Sequence, residues 1–190
     1  MRAFIAIELP VEIRDGLSNI QDRLKVELPK LSWVKPQNLH LTLKFLGDIS
    51  PEQLCNIKRI TTEIIKTTAG FKIRLENLGV FPNLHAARTI WFGTNQPPSG
   101  LKQLEKQLET RLVEAGIPQQ ERTFCTHITI GRIKAHSIAS DLKKAIDKVE
   151  VDKTYANWEF NCREFALFES TLGPGGPTYT ILVRFNLRIT

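Results

Sequence analysis

Residues 38–46 read Asn38-Leu39-His40-Leu41-Thr42-Leu43-Lys44-Phe45-Leu46, a strict alternation that Gly47-Asp48 brings to a close. Side chains two apart on a strand share a face, so this pattern predicts Leu39, Leu41, Leu43 and Phe45 on one side and His40, Thr42 and Lys44 on the other. Eighty-odd residues later the pattern returns as Thr126-His127-Ile128-Thr129-Ile130-Gly131-Arg132, with Ile128 and Ile130 facing one way and His127 and Thr129 the other. A chain that carries the same strand twice in matching surroundings is expected to have two related halves.

The flanking sequence supports this. Phe4–Glu8 alternates as a short opening strand, and Val11–Leu28, bounded by Pro10 and Pro29, spaces Ile13, Leu17, Ile20 and Leu24 as an amphipathic helix does. Ser50-Pro51-Glu52-Gln53 is a capping-box start for a helix running to about Thr68. Strands are expected near Lys72–Leu78 and Arg88–Gly93. The turn cluster Asn95–Gly100 forms a joint near the midpoint, followed by a helix over Leu101–Ala115 that Gly116 and Pro118 end. In the second half Ser137 can cap a helix reaching about Val149. Strand-like runs Trp158–Glu169 and Tyr179–Ile189 then flank the turn-rich Gly173–Pro177. The expected architecture is α+β: a bilobed unit spanning residues 1–190, in which two pseudo-symmetric antiparallel sheets carry helices on their outer faces and enclose a central cleft.

Composition narrows the class. The 190 residues are 42% hydrophobic, 24% charged and 8% aromatic, ordinary values for a globular chain large enough to hold a core without metal or disulfide support. The three cysteines, Cys55, Cys125 and Cys162, are widely spaced with no CxxC pair, which argues against a disulfide framework or a zinc ribbon. The apolar opening is interrupted by Glu8 and Pro10, and no run of about 18 apolar residues follows, so a cytoplasmic protein without membrane attachment is expected. The net charge of +6 is spread over both halves, with no basic tail. A diffuse positive balance of this kind favours a phosphate-bearing partner only modestly.

The repeated His-x-Thr-apolar motif carries the chemistry. Its chance recurrence in a chain of this composition is on the order of one in a thousand. Each motif presents an imidazole and a hydroxyl side by side on a strand. One buried histidine alone would ordinarily be a hydrogen-bonded core residue, but two in matching contexts suggest a facing pair. Imidazoles in opposite protonation states can accept a proton from an attacking water and donate one to a leaving oxygen, while the threonines hold the non-bridging oxygens of a phosphate. That suits hydrolysis of a cyclic phosphodiester without a metal. No HExxH occurs, and neither motif has a carboxylate or Cys at ligand spacing on its own strand face; no Walker A or GxGxxG sequence is present. No metal or other cofactor is expected.

The sequence also resembles the RNA 2′,3′-cyclic phosphodiesterases, historically called 2′-5′ RNA ligases, of the 2H phosphoesterase superfamily. The resemblance runs through Phe4–Pro10, Trp33-Val34, His40–Gly47, Gly79–Pro82, Ala87–Trp91, His127–Arg132, Leu167–Ser170 and Tyr179-Thr180. It implies His40 as proton donor to the leaving oxygen, His127 as acceptor from water, and Thr42 and Thr129 as ligands of a 2′,3′-cyclic phosphate end of RNA or a nucleotide, yielding a 2′-phosphate. It also implies a charge-assisted contact from Arg132. Alternation alone puts Arg132 on the face opposite His127, so that role requires the strand to end or twist at Gly131. The alternatives are 2′-5′ ligation at the same site and a module that binds RNA ends without turnover. A monomer is expected.

Three positions depart from the family pattern: Ile130 where Leu often stands, Thr126 for a common Pro, and Cys125 for a frequent basic residue. The last weakens the expected grip on the body of an RNA chain. His85 and His136 lack a threonine partner and are expected to be solvated loop residues. Trp33, Trp91, Trp158 and Phe81 fit either a core or a base-stacking role, and Lys44 fits an anion contact or a solvated strand end.

Overall fold

The computed structural model describes residues 1–133, 139–152 and 158–189. Strands β1 (Arg2–Glu8), β3 (His40–Asp48), β9 (Glu164–Gly173) and β10 (Gly176–Asn186) form the sheet of one lobe. Strands β5 (Asn77–Phe81), β6 (Thr89–Gly93), β7 (His127–Arg132) and the short β2 (Ser32–Trp33) form that of the other. The two meet edge to edge where β3 pairs with β7, in the order β10-β9-β1-β3-β7-β6-β5, all antiparallel, with β2 on the far part of β7. A separate ribbon joins β4 (Phe71–Leu75) to β8 (Trp158–Cys162). The expected α+β class is present.

Helices line one side of each sheet, and the halves of the chain trade them. Helix α1 (Val11–Glu27), from the first half, packs behind β7 and against α4 (Ala139–Asp152), which reaches β5. Helix α3 (Ser99–Glu114), from the second half, packs behind β3 and against α2 (Pro51–Ile65), which reaches β10. The apolar spacing read from the sequence accounts for this: Leu17, Ile20 and Leu24 of α1 and Leu101, Leu104, Leu108 and Leu112 of α3 are buried against Leu41, Leu43, Ile128 and Ile130. Burying each such side chain stabilises by roughly 1.5–3 kcal/mol. The α2 start is the expected capping box: Gln53 N donates to Ser50 Oγ at 3.1 Å and Ser50 N donates to Gln53 Oε1 at 2.9 Å. The Ser137 cap and His136 lie outside the described residues. No helix among those described is long and apolar enough to cross a membrane.

The two halves are related by an approximate two-fold axis. Leu41 pairs with Ile128 and Ile73 with Phe160, and each pair joins residues 87 apart, the separation of His40 from His127. Related positions therefore touch each other at the axis.

Three departures from the expected strands follow from this plan. The runs near 72–78 and 158–169 each divide, at Glu76 and Arg163, where the chain leaves the ribbon for the main sheet. The third concerns faces. Between Lys44 and Thr42 the β1–β3 register slips by one residue, which makes Leu43 a bulge, and a second slip falls at Leu46. A bulge reverses the alternation beyond it. Lys44 therefore turns to the helix side, not to the face of His40, and Phe45 turns away from the core and is 61% exposed. Buried completely, the Lys44 ammonium donates to Glu109 Oε2 at 2.7 Å and to the Pro118 carbonyl at 2.8 Å. Gln120 Nε2 reaches the Leu43 carbonyl at 3.4 Å.

Candidate active site

The bulge in β3 has a counterpart in β7. The β6–β7 register slips at Ile130, so Gly131 turns inward and Arg132 comes round to the face that holds His127 and Thr129. The carbonyl that the bulge frees is satisfied by Val34 N at 3.0 Å and by Gln21 Nε2, from α1, at 2.8 Å. Gln21 is buried and its amide also donates to the Val34 carbonyl at 2.8 Å, so a polar side chain in the core has a defined use. The twist that Arg132 needs thus occurs one residue earlier than Gly131.

The Leu41–Ile128 pairing brings the two motifs together. Carrying that register one residue either way sets His40 beside Thr129 and Thr42 beside His127, all four on the face opposite Leu41 and Ile128. In a regular antiparallel ladder the diagonal between His40 and His127 would be about 7–8 Å, room for a phosphate between the ring tips. All four side chains are half-buried and Arg132 is exposed at the rim.

Each imidazole is held in the same way. His40 Nδ1 lies 2.7 Å from the Asn38 carbonyl, and His127 Nδ1 lies 2.8 Å from the Cys125 carbonyl. A carbonyl oxygen only accepts, so each Nδ1 carries the hydrogen and donates it, leaving Nε2 as the nitrogen that can gain or lose a proton. Aromatic rings pack around both. His40 stands at 4.8 Å from the Phe4 ring and edge-on to Tyr179 at 5.2 Å, with Phe168 stacked on Phe4 at 5.1 Å. His127 stands edge-on to Phe81 at 5.0 Å, and Phe81 stacks on Trp91 at 5.1 Å. Trp91 lies flat over Gly79, where any Cβ would sit 2.3 Å from the indole.

Burial among these rings pushes both imidazoles below their ordinary value, against the backbone hydrogen bonds that favour the charged form. The charge of Arg132 lowers both further, and that of His127 also lowers His40. Each ring feels the same guanidinium. Burial raises the Tyr179 phenol, while Arg132 and Arg2 act against it.

The structure therefore brings His40, Thr42, His127, Thr129 and Arg132 to one face. His85 is exposed in a turn that Asn83 Oδ1 caps. Trp158 packs against Phe92 and Gly16, and Trp33 over Gly131. Sequence reasoning missed the carbonyls of Asn38 and Cys125 and the surrounding rings of Phe4, Phe168 and Tyr179. The matching spacing of residues 38 and 125 before each histidine was the available signal for the first pair. Among the described residues, no group of three or more His, Cys, Asp or Glu side chains gathers as for a metal ion.

Comparison with known proteins is consistent across sequence and structure. The chain is 33% identical to RNA 2′,3′-cyclic phosphodiesterase of Methanothermobacter thermautotrophicus over 187 residues, covering 98% of this chain and 99% of the relative. It is also 33% identical to the enzyme of that name from Escherichia coli K12, with 98% and 96% covered. A crystal structure from Thermus thermophilus superposes with a TM-score of 0.81 at 30% identity, covering 99% and 98% of the two chains. That of Escherichia coli LigT complexed with 3′-AMP gives 0.76 at 32% identity, covering 98% and 97%. The family model for LigT-like phosphoesterases matches twice, at residues 7–91 and 93–179, once for each half of the two-fold plan. With the duplicated motif on one face and these matches along nearly the whole chain, the protein belongs to the LigT-like phosphoesterase family.

Proposed function

We propose that this protein hydrolyses RNA 2′,3′-cyclic phosphate ends to 2′-phosphomonoesters by two-histidine general acid–base catalysis, with no metal in the reaction. The observation that carries the reading is the matched pair of imidazoles, each with Nδ1 tied to a carbonyl two residues back and Nε2 left for proton transfer, on one face beside two threonine hydroxyls. The relatives' activity supports the choice of substrate.

In this mechanism His127 Nε2 takes a proton from water as its oxygen attacks phosphorus. The P–O3′ bond breaks, and His40 Nε2–H protonates the departing 3′ oxygen, leaving the phosphate on the 2′ oxygen. Thr42 and Thr129 donate hydrogen bonds to the non-bridging oxygens, where charge accumulates, and Arg132 offsets that charge from the rim. The assignment of donor and acceptor follows the family resemblance; the two tethers are alike. The whole chain acts as one two-lobed unit, since the site needs a motif from each half.

The test is turnover of a 2′,3′-cyclic nucleotide by EDTA-treated protein, with the product read by ³¹P NMR. A 2′-phosphomonoester is expected, and His40→Ala and His127→Ala are each expected to lower kcat by about 10²–10⁴-fold. Binding without product would mean an RNA-end-binding module. A 3′-phosphomonoester would reverse the orientation of the ribose between the imidazoles.

A further inference from the structure

The β9–β10 hairpin does not end where its strands leave the sheet. Glu169 of β9 lies beside Ala3, which pairs with Gly47 at the end of β3 far from His40. Eight residues later, Pro177 offers its carbonyl to Asn38 Nδ2 at 2.8 Å, at the opposite end of β3. Between these two points the hairpin runs back along the cleft face, with Tyr179 turned inward onto His40 and Phe4. Its tip, residues 173–176, is exposed, and the Lys35 ammonium lies against it, 3.6 Å from where a Cβ on Gly175 would be. The hairpin is a strap across the first imidazole.

Asn38 is where the strap meets the chemistry. Its side-chain amide donates to the strap, and its own carbonyl accepts Nδ1–H of His40. The equivalent residue of the second motif, Cys125, supplies the carbonyl for His127, and among the described residues no strand of the second lobe corresponds to β10. The two imidazoles share this kind of tether, and at the first of them the side chain of the tethering residue, Asn38, is bonded to the strap.

We propose that Asn38 is a positioning residue that couples the docked strap to the ring orientation and tautomer of His40. The backbone carbonyl at 38 can hold Nδ1–H only while the residue keeps its place; the turn in which Asn38 N donates to the Lys35 carbonyl at 2.8 Å and the side-chain hydrogen bond to Pro177 together set that place. With the tether loosened, the neutral ring is free to carry its hydrogen on Nε2 as well, and the protonated ring loses the contact that aims its Nε2–H at the leaving oxygen. The role of His40 in turnover rests on the function proposed above; its tautomer does not.

The experiment is ¹⁵N NMR of the neutral imidazoles in the parent, Asn38→Ala and Asn38→Asp, together with steady-state hydrolysis of a 2′,3′-cyclic nucleotide. In the parent both rings are expected as single Nδ1–H tautomers. In Asn38→Ala, His40 is expected to show both tautomers while His127 keeps its signals, and kcat is expected to fall about 10- to 100-fold with KM little changed. Asn38→Asp, whose carboxylate cannot donate and repels the Pro177 carbonyl, is expected to be at least as impaired. A His40 that keeps one tautomer in both variants would overturn the proposal, as would equal disturbance of His127. If the parent shows no hydrolysis at all, the function proposed above fails, and the tautomer of His40 still decides the coupling.

Discussion

Replacing Lys44 with Met tests the buried ion pair behind the first motif. The ammonium has no solvent exposure, and its partner Glu109 keeps only 20% of its side-chain surface. Breaking a buried pair by removing one partner costs about 3–5 kcal/mol, because the other charge remains uncompensated. Here Glu109 retains two donors from Gln120, the backbone N at 2.9 Å and Nε2 at 3.3 Å, which places the expected cost near the lower end, about 3 kcal/mol. For a chain of this size that lowers Tm by about 6–12 °C. The pH dependence makes the test specific. Burial works to raise the Glu109 carboxyl, but Lys44 and the Gln120 amides outweigh it and hold the group below its ordinary value, so the pair contributes stability at neutral pH that is lost as pH falls through that depressed value. Without Lys44, burial has less opposition, and acidification neutralises the stranded carboxylate. The Tm gap between parent and Lys44→Met is therefore widest near neutrality and narrows below the ordinary carboxyl range. Thermal unfolding followed by circular dichroism from neutral pH down to about pH 3 measures it. A gap under about 2 °C, or one that does not change with pH, would refute the reasoning. The double variant with Glu109→Leu is expected to recover a large part of the loss, since no charge is then left buried alone.

Arg132→Gln removes a cation that lowers both imidazoles, so both midpoints move upward, and with them both limbs of the kcat/KM profile; NMR titration of the ring protons checks this against the parent. In the parent, both histidines titrate below their usual 6.5, and the kcat/KM maximum is expected on the acid side of that value. The same shifts couple to folding. As pH falls below 6.5 the unfolded chain takes up protons before the folded one does, so stability to urea declines through that window, with a shallower decline in His40→Gln and His127→Gln. Gly93 lies opposite His127, and a Cβ there would stand 2.1 Å from the Thr126 carbonyl oxygen and 2.9 Å from His127 Cα. Gly93→Ala is expected to cost about 1–3 kcal/mol and to lower kcat by moving the His127 strand; unchanged Tm and turnover would show that the backbones separate freely there.

The features legible in the sequence are those written in side-chain periodicity. Leu17, Ile20 and Leu24 mark a buried helix face, Ser50 and Gln53 mark a helix start, and the two His-x-Thr runs mark a repeated strand. The bulges at Leu43 and Ile130 leave no such mark, because an inserted residue shifts the alternation without altering composition. Alternation therefore groups Lys44 with His40, although its charge is matched by Glu109, 65 residues away. The same blindness puts Arg132 on the wrong face, which the slip at Ile130 corrects. The strap is hidden for another reason. Gly173–Pro177 reads as a turn, and where a turn leans depends on contacts with Lys35 and Asn38 that no local pattern encodes.

The self-pairing of Leu41 with Ile128 and of Ile73 with Phe160 gives one chain the geometry of a dimer. Contacts between equivalent positions across a two-fold axis are what an isologous homodimer makes. Two identical half-length subunits docked about such an axis would form the same groove, each giving one histidine. Within a single chain the two halves are free to differ, and among the described residues β10 extends the sheet on one side alone.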